Sequence, residues 1–249
     1  MRPFMIGTSV EETADPSKLK GAGISWLRLG FPQPFENRRG QTTTRGYRQA
    51  RERARHWSLR GFKIMGGTPG LGLGTYAQAA SGKLELSWKP GLPRWFGRPG
   101  TQGYNSHYGR ACRFLAADLR GLVQAWQVAN ELDWIQFSGP LDPLQACRLI
   151  LAGARGLKSG NPQGFVGTNS AGTPKAYFLY GRLHADPSAP LDYCGVDQYY
   201  GTWQPGGPSS WDERITELYA LTGKPVLVNE WGFSSAGGHA PEGSPERKV

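Results

Sequence analysis

Three cysteines in 249 residues are too few and too far apart to staple a fold. Cys112 and Cys147 fall in stretches of helical periodicity and Cys194 in an apolar, strand-like run, so all three read as buried reduced thiols. The four histidines, His56, His107, His184 and His239, have no metal-ligand spacing with one another or with a cysteine, and neither a metal nor an organic cofactor is implied. No apolar run approaches a membrane span. The few apolar residues between Arg2 and Glu11 are too short for a signal-peptide core, so the chain as given reads as cytoplasmic, a secreted longer precursor remaining an alternative. Acidic residues are also scarce, 19 against 29 Lys+Arg, and the formal charge of +10 favours an anionic partner only if it is clustered. The densest run, Arg45 to Arg60, spaces its arginines helically beside Ala50, Ala54, Trp57 and Leu59. That pattern is a solvated helix face rather than a nucleic-acid arm.

Glycine and proline, by contrast, are plentiful. The 36 glycines and 19 prolines sit at the ends of apolar runs, which predicts many short elements joined by tight turns. With 38% hydrophobic residues the chain can bury a sizeable core, and no linker divides it, so residues 1–249 read as one domain with a flexible tail over 234–249. Strands are predicted over Pro3–Thr8, Ile24–Leu29, Phe62–Met65, Trp126–Glu131, Phe165–Thr168, Tyr193–Tyr199 and Pro225–Glu230. Helices are predicted from Pro16, over Tyr47–Leu59, Tyr108–Val123, Pro143–Leu157 and Lys175–His184, and over Trp211–Leu221 with Ser209 or Ser210 as N-cap. The stretch from Tyr76 to Gln102 reads as irregular, and Gly70–Gly74 as a sharp loop beside a site. Alternation of this kind demands parallel strands with crossover helices, either an open doubly wound sheet or a closed barrel. Polar tips after strand upon strand (Arg28, Thr68, Asn130-Glu131, Asn169, Asp197 and Asn229-Glu230) favour the barrel, where they converge on one centre.

Two of those tips carry the chemistry. Trp126–Glu131 and Pro225–Gly232 are apolar runs that each reach Asn-Glu, 99 positions apart (230 − 131), on the fourth and seventh predicted strands. In an eight-stranded barrel these strands face each other across the mouth. A pair of carboxyl groups is the minimum equipment for cleaving a glycosidic bond, and a separation of about 5 Å allows one to act as nucleophile and the other as acid and then base.

The pattern resembles the clan A glycoside hydrolases, the retaining β-glycosidases on a (β/α)8 barrel. The resemblance rests on Asn130-Glu131, on Val228-Asn229-Glu230-Trp231-Gly232, on Arg28 in the second strand and on Tyr199 in Gly195–Tyr200. It implies Glu230 as nucleophile, Glu131 as acid/base and Asn130 on the sugar 2-hydroxyl. Arg28 and Tyr199 would hold Glu230 ionised, and a drier setting beside Trp126 or Trp134 would raise the pKa of Glu131. Asp197 shares a strand face with Tyr199 and is expected to line the site, where many relatives carry His or Asn. Trp134, Trp203 and Trp231 follow strand tips and are candidate sugar platforms, as are Trp88 and Trp95 from the long loop.

The resemblance also implies an eighth strand, yet only 19 residues follow Glu230 (249 − 230), rich in Gly, Ser, Pro and charge. The expected architecture is therefore a barrel missing strand eight and its helix, either a fragment, an open barrel, or one completed by another chain at its exposed edge. The expected partner is an oligosaccharide or polysaccharide, not nucleic acid or a membrane. The alternative to a β-glycosidase is a carbohydrate-binding protein on a truncated barrel, without turnover.

Overall fold

The computed structural model describes residues 5–10, 13–78, 84–199 and 209–232. Seven strands form one parallel sheet in the order β1 (Gly7–Ser9), β2 (Trp26–Gly30), β3 (Lys63–Gly67), β6 (Ala125–Gln127), β7 (Phe165–Thr168), β8 (Tyr193–Gln198) and β9 (Val226–Trp231). Between β3 and β6 the chain inserts an antiparallel hairpin, β4 (Gly72–Gln78) with β5 (Leu84–Pro90). Helices α1 (Pro16–Gly21), α2 (Arg45–Leu59), α3 (Gln102–Asp118), α5 (Pro143–Gly160), α6 (Lys175–His184) and α7 (Ser210–Thr222) cross over between parallel strands, and α4 (Ile135–Ser138) is one turn after β6. This is the curled β/α sheet of a barrel with seven of its strands. Among the described residues β1 and β9 are its two ends.

Period-two alternation sorts the strand residues onto two faces. Leu27, Leu29, Ile64, Trp126, Val128, Val166, Cys194 and Val196 belong to the large core shared with the helices. Met65, Ala125 and Tyr193 form a separate buried cluster on the concave face, with Trp26, Phe165 and Leu227 against it. All three cysteines are buried and unbridged, as their apolar surroundings predict.

The helices start and stop for local reasons. Thr44 caps α2 by accepting from the Tyr47 amide at 3.2 Å, and Tyr47, Ala50, Ala54 and Trp57 form its buried stripe, while Arg48 and Arg55 face outward and the half-buried Arg51 reaches Asp118 of α3 at 2.9 Å. Leu59, expected in that stripe, is exposed beside the helix C-cap. Asp142 and Gln145 form a reciprocal capping box on α5. Helices α3 and α5 approach through glycine: a Cβ on Gly156 would lie 2.2 Å from the Gly109 carbonyl oxygen, and one on Gly160 2.2 Å from that of Arg113.

Several boundaries differ from the sequence reading. The Gly70–Gly74 segment is not a loop throughout, because Gly72 already begins β4, and the "irregular" stretch after it is largely the hairpin. In β5 Leu86 and Trp88 are half-buried between exposed Glu85, Ser87 and Lys89, so one face of the hairpin covers the protein and the other is open to solvent. The third helix begins at Gln102, six residues before the expected Tyr108 (108 − 102), because Thr101 caps it. The Ser209 cap expected for α7 is absent: Ser209 has helical backbone angles and makes no side-chain cap bond. The predicted tail over 234–249 lies outside the described residues.

Candidate active site

The fourth sheet strand ends at Gln127, so Asn130 and Glu131 do not close a strand as expected. They sit in a tight turn in which Ala129 and Glu131 both have positive φ, 56° and 47°. Such left-handed angles are unfavourable for side chains with a Cβ and persist where surrounding bonds fix them. Here the Ala129 amide donates to Thr68 Oγ1 at 2.8 Å, and Thr68 Oγ1 lies 2.7 Å from the Tyr108 hydroxyl. The Glu131 amide donates to Asn169 Oδ1 at 3.0 Å. The turn aims Glu131, 7% exposed, over the C-terminal edge of the sheet.

Glu230 reaches the same edge by a different device. Val196 pairs with Val228 but Asp197 pairs with Glu230, so Asn229 is an extra residue in a bulge. Without the bulge, Asn229 and Glu230 would point to opposite faces. With it, Asn229 Nδ2 donates inward to Gln127 Oε1 at 2.9 Å while Glu230 also faces the concave side. Arg28 Nη1 lies 2.6 Å from Glu230 Oε1, and the Tyr199 hydroxyl donates to Glu230 Oε2 at 2.9 Å.

Asn130 joins the two halves. Its Oδ1 accepts from Arg28 Nη2, Gln127 Nε2 and Asn169 Nδ2, each at 3.1 Å, and its Nδ2 points toward Glu131 Oε2 at 3.5 Å. Asn169 Nδ2 also donates to Asp197 Oδ2 at 2.5 Å, and Asp197 is fully buried. Three carboxyl groups, Glu131, Asp197 and Glu230, thus act on one another around the single guanidinium of Arg28.

Their electrostatics are unequal. Burial pushes Glu131 up to about 7; the negative charges of Glu230 and Asp133 add to this, while a hydrogen bond to Asp197 and the Arg28 charge oppose it. Asp197 is held well above the ordinary carboxylate range, first by burial and then by the charges of Glu230 and Glu131. Burial, followed by the adjacent Glu230 charge, raises the Tyr199 phenol, which keeps it a donor. Asp133, close in sequence to Glu131, is occupied otherwise: it accepts from the amides of Ala171 and Thr173 and from the Thr173 hydroxyl.

The aromatic candidates are placed less uniformly. Trp134 is half-buried one turn after Glu131, edge-on to Phe137 with centroids 6.2 Å apart. Trp231 pairs in register with Gln198 rather than with Asp197, so it leaves the strand on the face opposite Glu230, 60% exposed and 5.9 Å from Trp211 of α7. Trp88 packs against Gly139, and Trp95 against Phe96 and His107, so both serve to seat the inserted loop. Trp126, expected beside Glu131, instead meets Phe31 at 5.5 Å on the helix-facing side of β6. Trp203 lies outside the described residues.

Comparison with known structures places the architecture. The hyperthermophilic β-glucosidase from Pyrococcus furiosus superposes with a TM-score of 0.66 at 14% identity, over 91% of this chain and 68% of that one. The exo-β-1,4-mannosidase from Opitutaceae bacterium strain TAV5 gives a TM-score of 0.62 at 16% identity, over 92% of this chain and 46% of that one. The β-glycosidase from Thermosphaera aggregans gives 0.59 at 14% identity, over 87% and 67% respectively. The fold is that of the glycosidase barrels. No family model and no curated protein sequence matches the chain. It spans about two thirds or less of the length of these structures.

Within that glycosidase fold, five supporting residues carried no assigned role in the sequence. Thr68, Asn169 and Asn229 were visible only as polar strand tips. Gln127 sits inside an apolar run with nothing to distinguish it, yet its amide holds Ala129 O, Asn130 and Asn169 and accepts from Asn229. Thr68 and Tyr108, from β3's end and α3, brace the turn from beneath. Their convergence is a product of the fold, and only a barrel with known register would reveal it. Among the described residues no helix is long and apolar enough to cross a membrane.

Proposed function

We propose that the chain is a retaining β-glycoside hydrolase, with Glu230 as nucleophile and Glu131 as general acid and base. The observation that carries this reading is the unequal treatment of two carboxyl groups on one sheet edge. One is held through both oxygens by Arg28 and Tyr199, and the other is buried and raised to about 7. In the first half-reaction Glu230 attacks the anomeric carbon while Glu131 protonates the departing glycosidic oxygen, giving a covalent glycosyl–enzyme ester. Glu131, now deprotonated, takes a proton from the water that attacks the same carbon and frees Glu230. In this reading the Asn130 amide, tied to Arg28 and directed at Glu131, meets the sugar 2-hydroxyl between the two. The glycosidase names of the neighbouring folds support the substrate class, a β-linked oligo- or polysaccharide.

A panel of aryl β-glycosides tests the reading. Turnover of at least one member is expected to fall by roughly a thousandfold in both Glu230→Ala and Glu131→Ala. Saturable sugar binding with no turnover of any substrate would instead assign the chain as a carbohydrate-binding protein on this barrel.

A further inference from the structure

One side of the sheet's C-terminal edge carries a concentration of positive charge that the proposed hydrolysis does not use. In residues 37–51 and 86–117 there is no Asp or Glu. These stretches contain most of the β2–α2 connection, the β5-to-α3 segment and the first turns of α2 and α3. In a parallel β/α sheet every strand-to-helix connection leaves from the C-terminal edge, which is also the edge that bears Glu131 and Glu230. Arg38 and Arg39 lie in the first connection, Arg94 and Arg98 in the second, and Arg45 and Arg110 on the helices that follow.

The two connections meet. Arg110 Nη2 donates to the Arg38 carbonyl oxygen at 2.5 Å, and its guanidinium lies 5.4 Å from the Phe35 ring centroid and 6.0 Å from that of Trp95. Trp95 and Phe96, flanked by Arg94 and Arg98, both contact His107 on α3. The His107 imidazole is disfavoured as a cation, by burial first and then by the charges of Arg110 and Arg38, which registers the local positive field. Arg38, Arg39, Arg45, Arg94 and Arg98 are exposed, and among the described residues none of the six arginines is in an ion pair.

We infer that this surface binds an anionic polysaccharide, a polymer with carboxylate or sulfate groups, and guides it to the candidate active site. The inference rests on the proposed function for its choice of a glycan. An acidic unit at the reacting position would meet the Glu230 charge and a buried, raised Glu131, so the anionic groups belong to units flanking that position, over the β2 and β3 side. The Trp95 and Phe35 rings, already covered by Arg110, are less available for stacking bases, which argues for a glycan over a single-stranded nucleic acid.

The test uses the full chain as Glu230→Gln, so that binding is read without hydrolysis. Its retention is measured on immobilised polyuronate, on the same polymer with its carboxylates methyl-esterified, and on double-stranded DNA, over a salt series. Salt-sensitive retention on the polyuronate and little on the ester is expected. Adding Arg38→Gln, Arg39→Gln and Arg98→Gln, all exposed, is expected to weaken retention by roughly tenfold. Arg60→Gln, at the opposite end of α2, is expected to leave it unchanged, which separates the patch from the overall charge of +10. Equal retention on the ester, an unchanged triple variant, or tighter retention on DNA than on polyuronate would overturn the inference. If the wild-type chain turns over no glycoside while the binding results hold, the hydrolase reading fails and this one stands.

Discussion

Asp197 is fully buried with Oδ2 committed to the Asn169 amide at 2.5 Å, and it shares a hydrogen bond with Glu131. Burial and the two neighbouring glutamates favour its neutral form, which assigns the proton in that hydrogen bond to Asp197. A neutral aspartic acid and an asparagine both present one donating and one accepting atom at the same positions. Asp197→Asn is therefore expected to preserve the proposed activity, whereas Asp197→Ala removes the donor that opposes the rise in Glu131. In wild type, kcat/KM is expected to fall as pH rises through about 7, where Glu131 loses the proton it must give. Asp197→Asn should leave that limb in place and Asp197→Ala should move it upward, as measured by pH–rate profiles. A large downward movement in Asp197→Asn would show that Asp197 carries charge in the native protein and refute the assignment.

At the scale of elements, the bulge in β9 depends on β8 leaving room for it. A Cβ on Gly195 would lie 2.4 Å from Asn229 Oδ1 and 2.6 Å from the Thr168 carbonyl oxygen, and the latter is backbone that cannot give way. Gly195→Ala is expected to cost about 1–3 kcal/mol by urea denaturation and to displace Asn229 from Gln127. Gly67→Ala, whose Cβ would meet nothing nearer than 3.8 Å, is expected to cost well under 1 kcal/mol. Equal losses in the two would show that crowding beside the bulge is not what the glycine relieves. These elements also mark what was legible beforehand. Apolar periodicity located all seven strands of the parallel sheet, and Arg28, Asn130, Glu131, Asp197, Tyr199 and Glu230 do gather on one edge. A period-two reading cannot register a bulge, so it could not tell that Asn229 and Glu230 both face the concave side, although it does put Trp231 on the face opposite Glu230. Nor could it see that Glu131 stands in a left-handed turn, since nothing local in Val128-Ala129-Asn130 signals one. The hairpin was missed although Leu86 and Trp88 alternate with exposed Glu85, Ser87 and Lys89 in β5, because the glycines and prolines on either side of that short run outweigh its alternation.

For the molecule as a whole, a cluster of raised carboxyl groups has a thermodynamic signature opposite to that of ordinary surface acids. Glu131 has an ordinary value of 4.5 and is raised to about 7, so between those values the folded chain holds a proton that the unfolded chain has released. Its contribution to stability is fully present below about 4.5 and is lost as pH rises to about 7, a change on the order of 3 kcal/mol. Asp197 acts in the same direction from its ordinary 3.8 upward. Asp15 and Asp186 are lowered by their serine hydrogen bonds, so what they contribute is lost only as pH falls below their ordinary 3.8. His184 opposes the glutamate within its range: burial lowers it from 6.5 to about 4, so its contribution grows as pH rises between those values. The wild-type profile therefore mixes rising and falling terms, and the site is isolated by difference. Urea midpoints of wild type and of Glu131→Gln with Asp197→Asn, measured from pH 4.5 to 8, are expected to diverge steadily. The variant should gain on wild type as pH rises toward 7, because it has no buried carboxyl to ionise, while His184 cancels between the two. A constant difference across that range would mean that Glu131 and Asp197 titrate in the folded chain as they do in the unfolded one, and the electrostatic basis for assigning Glu131 as the acid would be lost.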